Sequence, residues 1–255
     1  MSTLEGTPNP EAPNPQLPIV QKLRIRYAKR GRLRFTSHRD FARAFERAVR
    51  RAGVPIAFSS GYSPHPKISY ANASPTGAAT EAEYLEIGLT QECDPEAVRA
   101  DLDASLPPGL DILETVVAAG QGSLADRLQA SEWSIELVGV DVAAASSAVA
   151  AFLAADVVEV ERMGKRGLRT FDARADVLAL EVRSVSTGQE PCAILRVVIR
   201  HDTPSVRPDD VLAGLRSCGG LQVEQTPVAT RSAQGPLDQN TGMVGDPLAF
   251  DRDAS

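Results

Sequence analysis

Thr36 to Gly53 reads TSHRDFARAFERAVRRAG, and its period decides how the chain folds around it. At about 100° per residue, Phe41, Phe45, Ala48 and Ala52 fall in one narrow arc, while Arg39, Arg43, Arg47 and Arg50 gather on the opposite side. Ser37 with Asp40 three positions later has the form of a capping box, aspartate standing where glutamate is usual. Gly53 occupies the C-terminal capping position and Pro55 follows it. The pattern predicts a helix from His38 to Ala52 that docks by its aromatic stripe on a sheet and turns four guanidiniums outward.

Sheet-forming stretches lie on both sides of that helix. A short alternating strand is predicted over Val20–Tyr27, with further strands over Pro55–Phe58 and Glu83–Leu89. Asp94 caps a helix running to about Leu106, and Leu110–Ala118 is a strand after Pro107-Pro108-Gly109. The order is βαββαβ. It recurs more faintly beyond the Gly120-Gln121-Gly122 linker. Trp133–Val140 reads as a strand, Val142–Ala154 as an alanine-rich helix and Val157–Arg162 as a strand. A poorly defined stretch follows, then a strand over Ile194–Arg200, a helix over Pro208–Arg216 and a final strand over Leu221–Val228. The fold class expected is therefore α+β, with two tandem ferredoxin-like (βαββαβ) halves over residues 19–122 and 123–230. Residues 1–18 hold five prolines and little to bury, and from about Arg231 no apolar period is visible. Both ends, 1–18 and 231–255, are expected to be disordered tails.

Composition narrows the function classes. The chain has 255 residues, 43% hydrophobic and 24% charged, which supports a core and one or two domains. There is no run of 18 apolar residues, which argues against a membrane span, and Met1–Pro18 lacks the basic and apolar regions of a secretory signal. Cys93, Cys192 and Cys218 are far apart and odd in number, as expected of reduced thiols in a cytoplasmic protein, and they cannot supply an iron–sulfur cluster or a structural zinc site. No metal site is expected. Phosphate-loop, HExxH and GxSxG motifs are missing from the sequence. Gly164-Lys165-Arg166-Gly167 follows a strand and reads as a hairpin turn rather than a GxxG clamp joining two helices.

The net charge of −6 hides an asymmetry. Between Gln21 and Arg51 twelve basic residues face only Asp40 and Glu46, a surplus of +10 that leaves −16 for the remainder. An acidic body with one dense basic element points to a steered polyanion site, although a solvated helix surface would also be amphipathic. One helical turn, ~5.4 Å, is close to the phosphate spacing of an extended single strand. Glu46 stands four residues before Arg50 and offsets part of the charge. The loop Ser59-Ser60-Gly61-Tyr62-Ser63-Pro64-His65-Pro66-Lys67 adds a second element. Two prolines fix the backbone around His65, Gly61 permits a positive φ, Tyr62 is placed to stack on a base and Lys67 to meet a phosphate. The candidate binding residues are Arg34, His38, Arg39, Arg43, Arg47, Arg50, Ser60, Gly61, Tyr62, His65 and Lys67. Under an enzymatic alternative, His38 and His65 form the acid–base pair of a metal-independent ribonuclease or RNA-modifying subunit, which requires both to reach one phosphodiester. His201 and Asp202, then Arg207-Pro208, stand at a strand end and suit either a ligand or the cap of the next helix.

Tyr27-Ala-Lys29-Arg-Gly31-Arg-Leu33-Arg34-Phe35-Thr-Ser37-His38-Arg-Asp40, the run Arg43 to Gly53, Ser60-Gly61-Tyr62-Ser63-Pro64-His65-Pro66-Lys67 and Glu83-Tyr84 together resemble the radical-SAM-associated domain of unknown function. The resemblance is strong over Leu23–Leu89. Beyond that only Asp172-Ala-Arg174 and Arg207-Pro208 are similar to the family's pattern. Where the family has a Leu-Ser-His-Leu-Asp type run, this chain has Thr36-Ser37-His38-Arg39-Asp40. The resemblance implies a radical-SAM enzyme as partner, in a neighbourhood of RNA processing. The iron–sulfur cluster and S-adenosylmethionine would then belong to that partner alone, because this chain has no Cys-x3-Cys-x2-Cys arrangement. Three functions remain open at this point: an RNA-binding accessory protein, an adaptor docking on the radical-SAM partner through the same arginines, and the His38/His65 enzyme.

Overall fold

Leu23, Ile25 and Tyr27 alternate with Arg24, Arg26 and Ala28, and this period-two pattern forms β1 (Gln21–Lys29) in the computed structural model. The structure describes residues 17–120, 122–164, 167–184 and 191–254. The proline-rich segment 1–16, Gln121 of the linker and Lys165-Arg166 of the basic turn lie outside the described residues. After β1 come α1 (His38–Arg51), β2 (Ile68–Ala71), β3 (Ala79–Leu89), α2 (Pro95–Ser105) and β4 (Leu110–Val117). Then follow β5 (Ala130–Val138), α3 (Val142–Ala154), β6 (Glu159–Gly164), β7 (Gly167–Asp172), β8 (Val177–Ser184), β9 (Cys192–Arg200), α4 (Pro208–Gly219), β10 (Val228–Gly235) and α5 (Ala249–Asp253).

The architecture is mixed α+β, with one large sheet in the order β4-β1-β3-β10-β5-β9-β8 and β2 paired to β3. Most neighbours are antiparallel, whereas β10 joins β3 in parallel through Thr230↔Ala79 and Arg231↔Thr80. That short seam ties the strands before residue 118 to those after residue 129. α1 and α2 cover one face of the first group, where Phe41 and Phe45 pack with Leu23, Ile25, Leu85 and Ile87. α3 and α4 cover the second group, where Phe152 and Leu215 pack with Ile135, Leu195 and Val197. The apolar side chains on these strands alternate as half-buried sheets require.

Several expected boundaries move. Pro55–Phe58 is not a strand: Ile56 and Phe58 make single bridges to Leu89 and Pro66, and the hydrogen-bonded strand is β2, ten residues on. Flanking prolines explain the change, since Pro55, Pro64 and Pro66 have no N–H to give a ladder. The strand expected over Val157–Arg162 belongs to β6, which pairs only with β7 as a hairpin beside the main sheet, and the poorly defined stretch after it contains β7 and β8.

The largest correction concerns the C-terminus. Leu221–Pro227 is not a strand, and β10 begins at Val228 and continues to Gly235. Residues 236–254, expected as a tail, return across the sheet face opposite α1 and α2. Leu248 is fully buried there with Tyr84, Val116 and Leu124. Asp251 of α5 is also fully buried. This segment is held by a few isolated apolar contacts and by charge, so it shows no hydrophobic period. Among the described residues no helix is long and apolar enough to cross a membrane.

Candidate nucleic-acid interface

Ser37 caps α1, its Oγ accepting from the Asp40 N–H at 3.2 Å and donating to the Asp40 carboxylate at 2.6 Å. Phe41, Phe45, Ala48 and Val49 are buried, and Tyr27 stacks on Phe41 with ring centres 4.2 Å apart. The opposite side carries Arg39, Arg43, Arg47 and Arg50, all exposed. Among the described residues the one carboxylate paired with this row is Asp40, 3.9 Å from Arg43, and the Glu46–Arg50 pair suggested by spacing is not formed. At ~1.5 Å per residue the 14-residue helix is ~21 Å long, so the row is a strip of one sign.

The basic residues of β1 behave differently. Arg24 is 1% exposed. Its guanidinium donates to both Asp251 oxygens at 2.7 and 2.9 Å, to Glu86 at 3.0 Å and to the Gly122 carbonyl. Arg127 joins the same carboxylate at 2.7 Å. Lys22 pairs with Glu86, Arg30 with Glu81 and Asp111, and Arg26 donates to the Glu81 carbonyl. Lys29 is buried, and desolvation lowers its pKa. The +10 surplus of the sequence therefore divides: Lys22, Arg24 and Arg30 are paired with carboxylates, Arg24 inside the fold, and the helix's row is presented.

Beyond the C-terminal end of α1 the chain enters the Ser59–Lys67 loop. It is closed by Ser59 N–H to the His65 carbonyl at 2.7 Å and by His65 N–H to Ser59 Oγ at 3.0 Å. Gly61 has φ +124°, a conformation a side chain would strain. Tyr62 is fully exposed, and Ser60, His65 and Lys67 are also on the surface. Phe58 and Phe35 are exposed as well. Arg34, half-buried, stacks on Phe35 at 4.8 Å.

His38, at the first turn of α1, lies elsewhere. Its ring meets Tyr70 of β2 edge-on at 4.9 Å. His65 lies in the loop before β2 and is not among the residues lining the cleft that His38 lines.

What His38 does face is a cleft of about 640 Å³ at the β3–β10 seam. His201 is its central imidazole. Nδ1 lies 2.7 Å from the Leu128 carbonyl, to which it donates, so Nε2 accepts from the Ser131 hydroxyl at 2.5 Å. Burial, with Arg231 nearby, lowers its pKa below the ordinary 6.5 and keeps the ring neutral at pH 7. His201 therefore does not cap α4. Arg207 is the N-cap residue with Pro208 after it, and Asp210 in the first turn accepts from the Arg207 N–H at 2.8 Å while Arg162 holds the same oxygen at 2.5 Å. Arg231, 2% exposed, is ion-paired to Glu83, donates to Asn72 O and Gln234 Oε1, and covers Trp133 at 5.3 Å. Asp172 and Arg174 are structural: the Asp172 carboxylate takes the Val158 and Arg174 N–H groups, and Arg174 donates to the Val177 carbonyl.

A family model described as "Uncharacterized protein conserved in bacteria (DUF2344)" matches residues 22–208. The chain belongs to this family. No curated protein matches it. Among solved structures, the chain is similar to a crystal structure of a Cbf5-Nop10-Gar1 complex at 11% identity and TM-score 0.46, over 87% of this chain and 51% of that one. It thus spans about half the length of the chain it matches. A crystal structure of an unknown protein from Galdieria sulphuraria aligns at 12% identity and TM-score 0.24, over 83% and 98%.

The DUF2344 match takes in α1, the loop and Arg207, but ends before Arg231 and Asp251. Sequence reasoning missed Asn72, Ser74 and Arg231 as cleft residues. Asn72-Ala73-Ser74-Pro75 signals only a turn, and Arg231 falls at the start of the stretch expected to be a tail.

Proposed function

We propose that this DUF2344 protein is a non-catalytic RNA-binding accessory protein. The observation that carries the reading is the strip Arg39/Arg43/Arg47/Arg50, exposed with one carboxylate 3.9 Å from Arg43, while neighbouring Lys22, Arg24 and Arg30 are paired with carboxylates. Guanidinium forks suit phosphate oxygens. The exposed Phe35, Phe58 and Tyr62 supply ring faces on which unpaired bases stack without regard to sequence. The partner in this reading is a radical-SAM enzyme, on the strength of the resemblance over Leu23–Leu89, and that partner would hold the iron–sulfur cluster and S-adenosylmethionine. The scaffold in this reading is a tandem of ferredoxin-like halves. The matching orders β4-β1-β3-β2 and β10-β5-β9-β8 support it, with the β6–β7 hairpin as an insertion.

An adaptor that uses the same arginines on an acidic protein surface is separated by purification from cells with and without ribonuclease. RNA binding predicts bound RNA that ribonuclease removes and that the double variant Arg43→Glu/Arg47→Glu lacks. An associated acidic protein that survives ribonuclease and is lost from the same variant would overturn it.

A further inference from the structure

The cleft at the seam has features that the rest of the fold does not require. Ser74 is 8% exposed and lines it, yet its hydroxyl has no hydrogen-bond partner among the described residues. A buried polar group left unsatisfied is costly, and such groups in a cavity wall mark a place where a ligand completes the bonding. Two helices also begin there. α1 brings His38 from its first turn, and α4 brings Arg207, Pro208 and Asp209. The α4 N-terminus is closed by its own cap, with Pro208 lacking an N–H, the Arg207 N–H held by Asp210 and the Asp210 N–H by the Arg207 carbonyl, so what it adds to the cleft is the Arg207 guanidinium. Arg207 is exposed at the rim, and among the described residues no hydrogen bond holds its guanidinium. Asp209 and Asp210 are the opposing charges, Asp210 being engaged by Arg162 and the Arg207 N–H, while Glu83 is already engaged by Arg231 and by the Ser74 N–H. The volume falls within the ~300–1,000 Å³ typical of small-molecule sites.

We propose that this cleft binds a phosphate monoester attached to a nucleoside, with Arg207 and Ser74 holding the phosphate and Asn72 and His38 beside the sugar or base. The monoester has two sources: a free mononucleotide, or the 5′-phosphorylated end of an RNA strand. In the second form the proposal rests on the reading of the basic strip, because His38 joins the cleft to the first turn of α1 and a strand ending there would continue along Arg39, Arg43 and Arg47. Trp133 and the Arg231 guanidinium form a rigid wall rather than direct ligands, since both are almost completely buried.

The test uses the full chain with three probes: uridine 5′-monophosphate by calorimetry, and one short oligoribonucleotide with either a 5′-phosphate or a 5′-hydroxyl by anisotropy. The expected results are saturable heat with the mononucleotide and about tenfold tighter binding of the 5′-phosphorylated strand, the size of one charge-assisted hydrogen bond. Arg207→Gln and Ser74→Ala should each weaken both effects while unfolding in urea is unchanged. If the mononucleotide binds and neither oligonucleotide does, the cleft stands and the RNA reading of the strip falls. If both oligonucleotides bind equally and the mononucleotide gives no heat, the cleft proposal falls and the strip stands. Mononucleotide binding that is equally tight in Arg207→Gln and Ser74→Ala would place the ligand elsewhere and also overturn it.

Discussion

β1 and α1 both carry several basic residues, Lys22, Arg24, Arg26 and Lys29 on the strand and Arg39, Arg43, Arg47, Arg50 and Arg51 on the helix, and are opposite in what they do with them. On β1, Arg24 lies at the centre of a buried network with Glu86, Asp251 and Arg127, and Arg30, just after the strand, sits between Glu81 and Asp111. On α1, four arginines stand in water with a single distant carboxylate beside them. The difference comes from the periods of the two elements. A strand sends alternate residues to opposite faces, so the cations on one side of β1 point under the returning C-terminal segment, where carboxylates must meet them. A helix with a narrow aromatic stripe turns its other side fully outward. Charge density along a sequence therefore does not by itself mark a binding surface: the strand's cations hold the fold together, and the helix's cations remain available.

The sharpest way to break this contrast is to remove the strand's buried partner. Asp251→Ala strips both Arg24 and Arg127 of their carboxylate, and a buried ion pair that loses one member costs about 3–5 kcal/mol. Urea unfolding should shift by that amount. A shift below about 1 kcal/mol would mean that the C-terminal segment does not seal the sheet, and the account of β1 would fail. A smaller effect is expected at the strand's exposed end. Arg30 and Glu81 are each a third to a half exposed at the side chain, so solvent screens them, and Glu81→Gln should cost under about 1 kcal/mol. A loss equal to that of Asp251→Ala would show that burial is not what separates the two sites.

The helix that places the site was legible because its two signals agree: an apolar stripe of 3.6 period and one-sign charge opposite. The caps at Ser37 and Asp94 were legible from local spacing, and α3 from its run of alanines. The C-terminal segment was not, since its stability comes from Leu248, Asp251 and long-range pairing with β1, none of which leaves a local period. The loop's shape was readable from Gly61 and its prolines, whereas the strand placed before it was not, because the same prolines deny it a ladder. The cleft escaped for a topological reason. Asn72 and Ser74 come from one end of the sequence and His201, Arg207 and Arg231 from the other, and they meet only where β10 joins β3 in parallel.

The most direct test of the central claim is the salt dependence of single-stranded RNA binding by the full chain, measured by anisotropy beside Arg43→Glu/Arg47→Glu. The account predicts a log–log slope of about −2 to −4 for the native chain, at ~0.7 per phosphate. The slope should be shallower by about 1.4 in the variant, with unfolding free energy unchanged within about 0.5 kcal/mol. A native slope near zero, or one that the double reversal leaves intact in a folded protein, would contradict it.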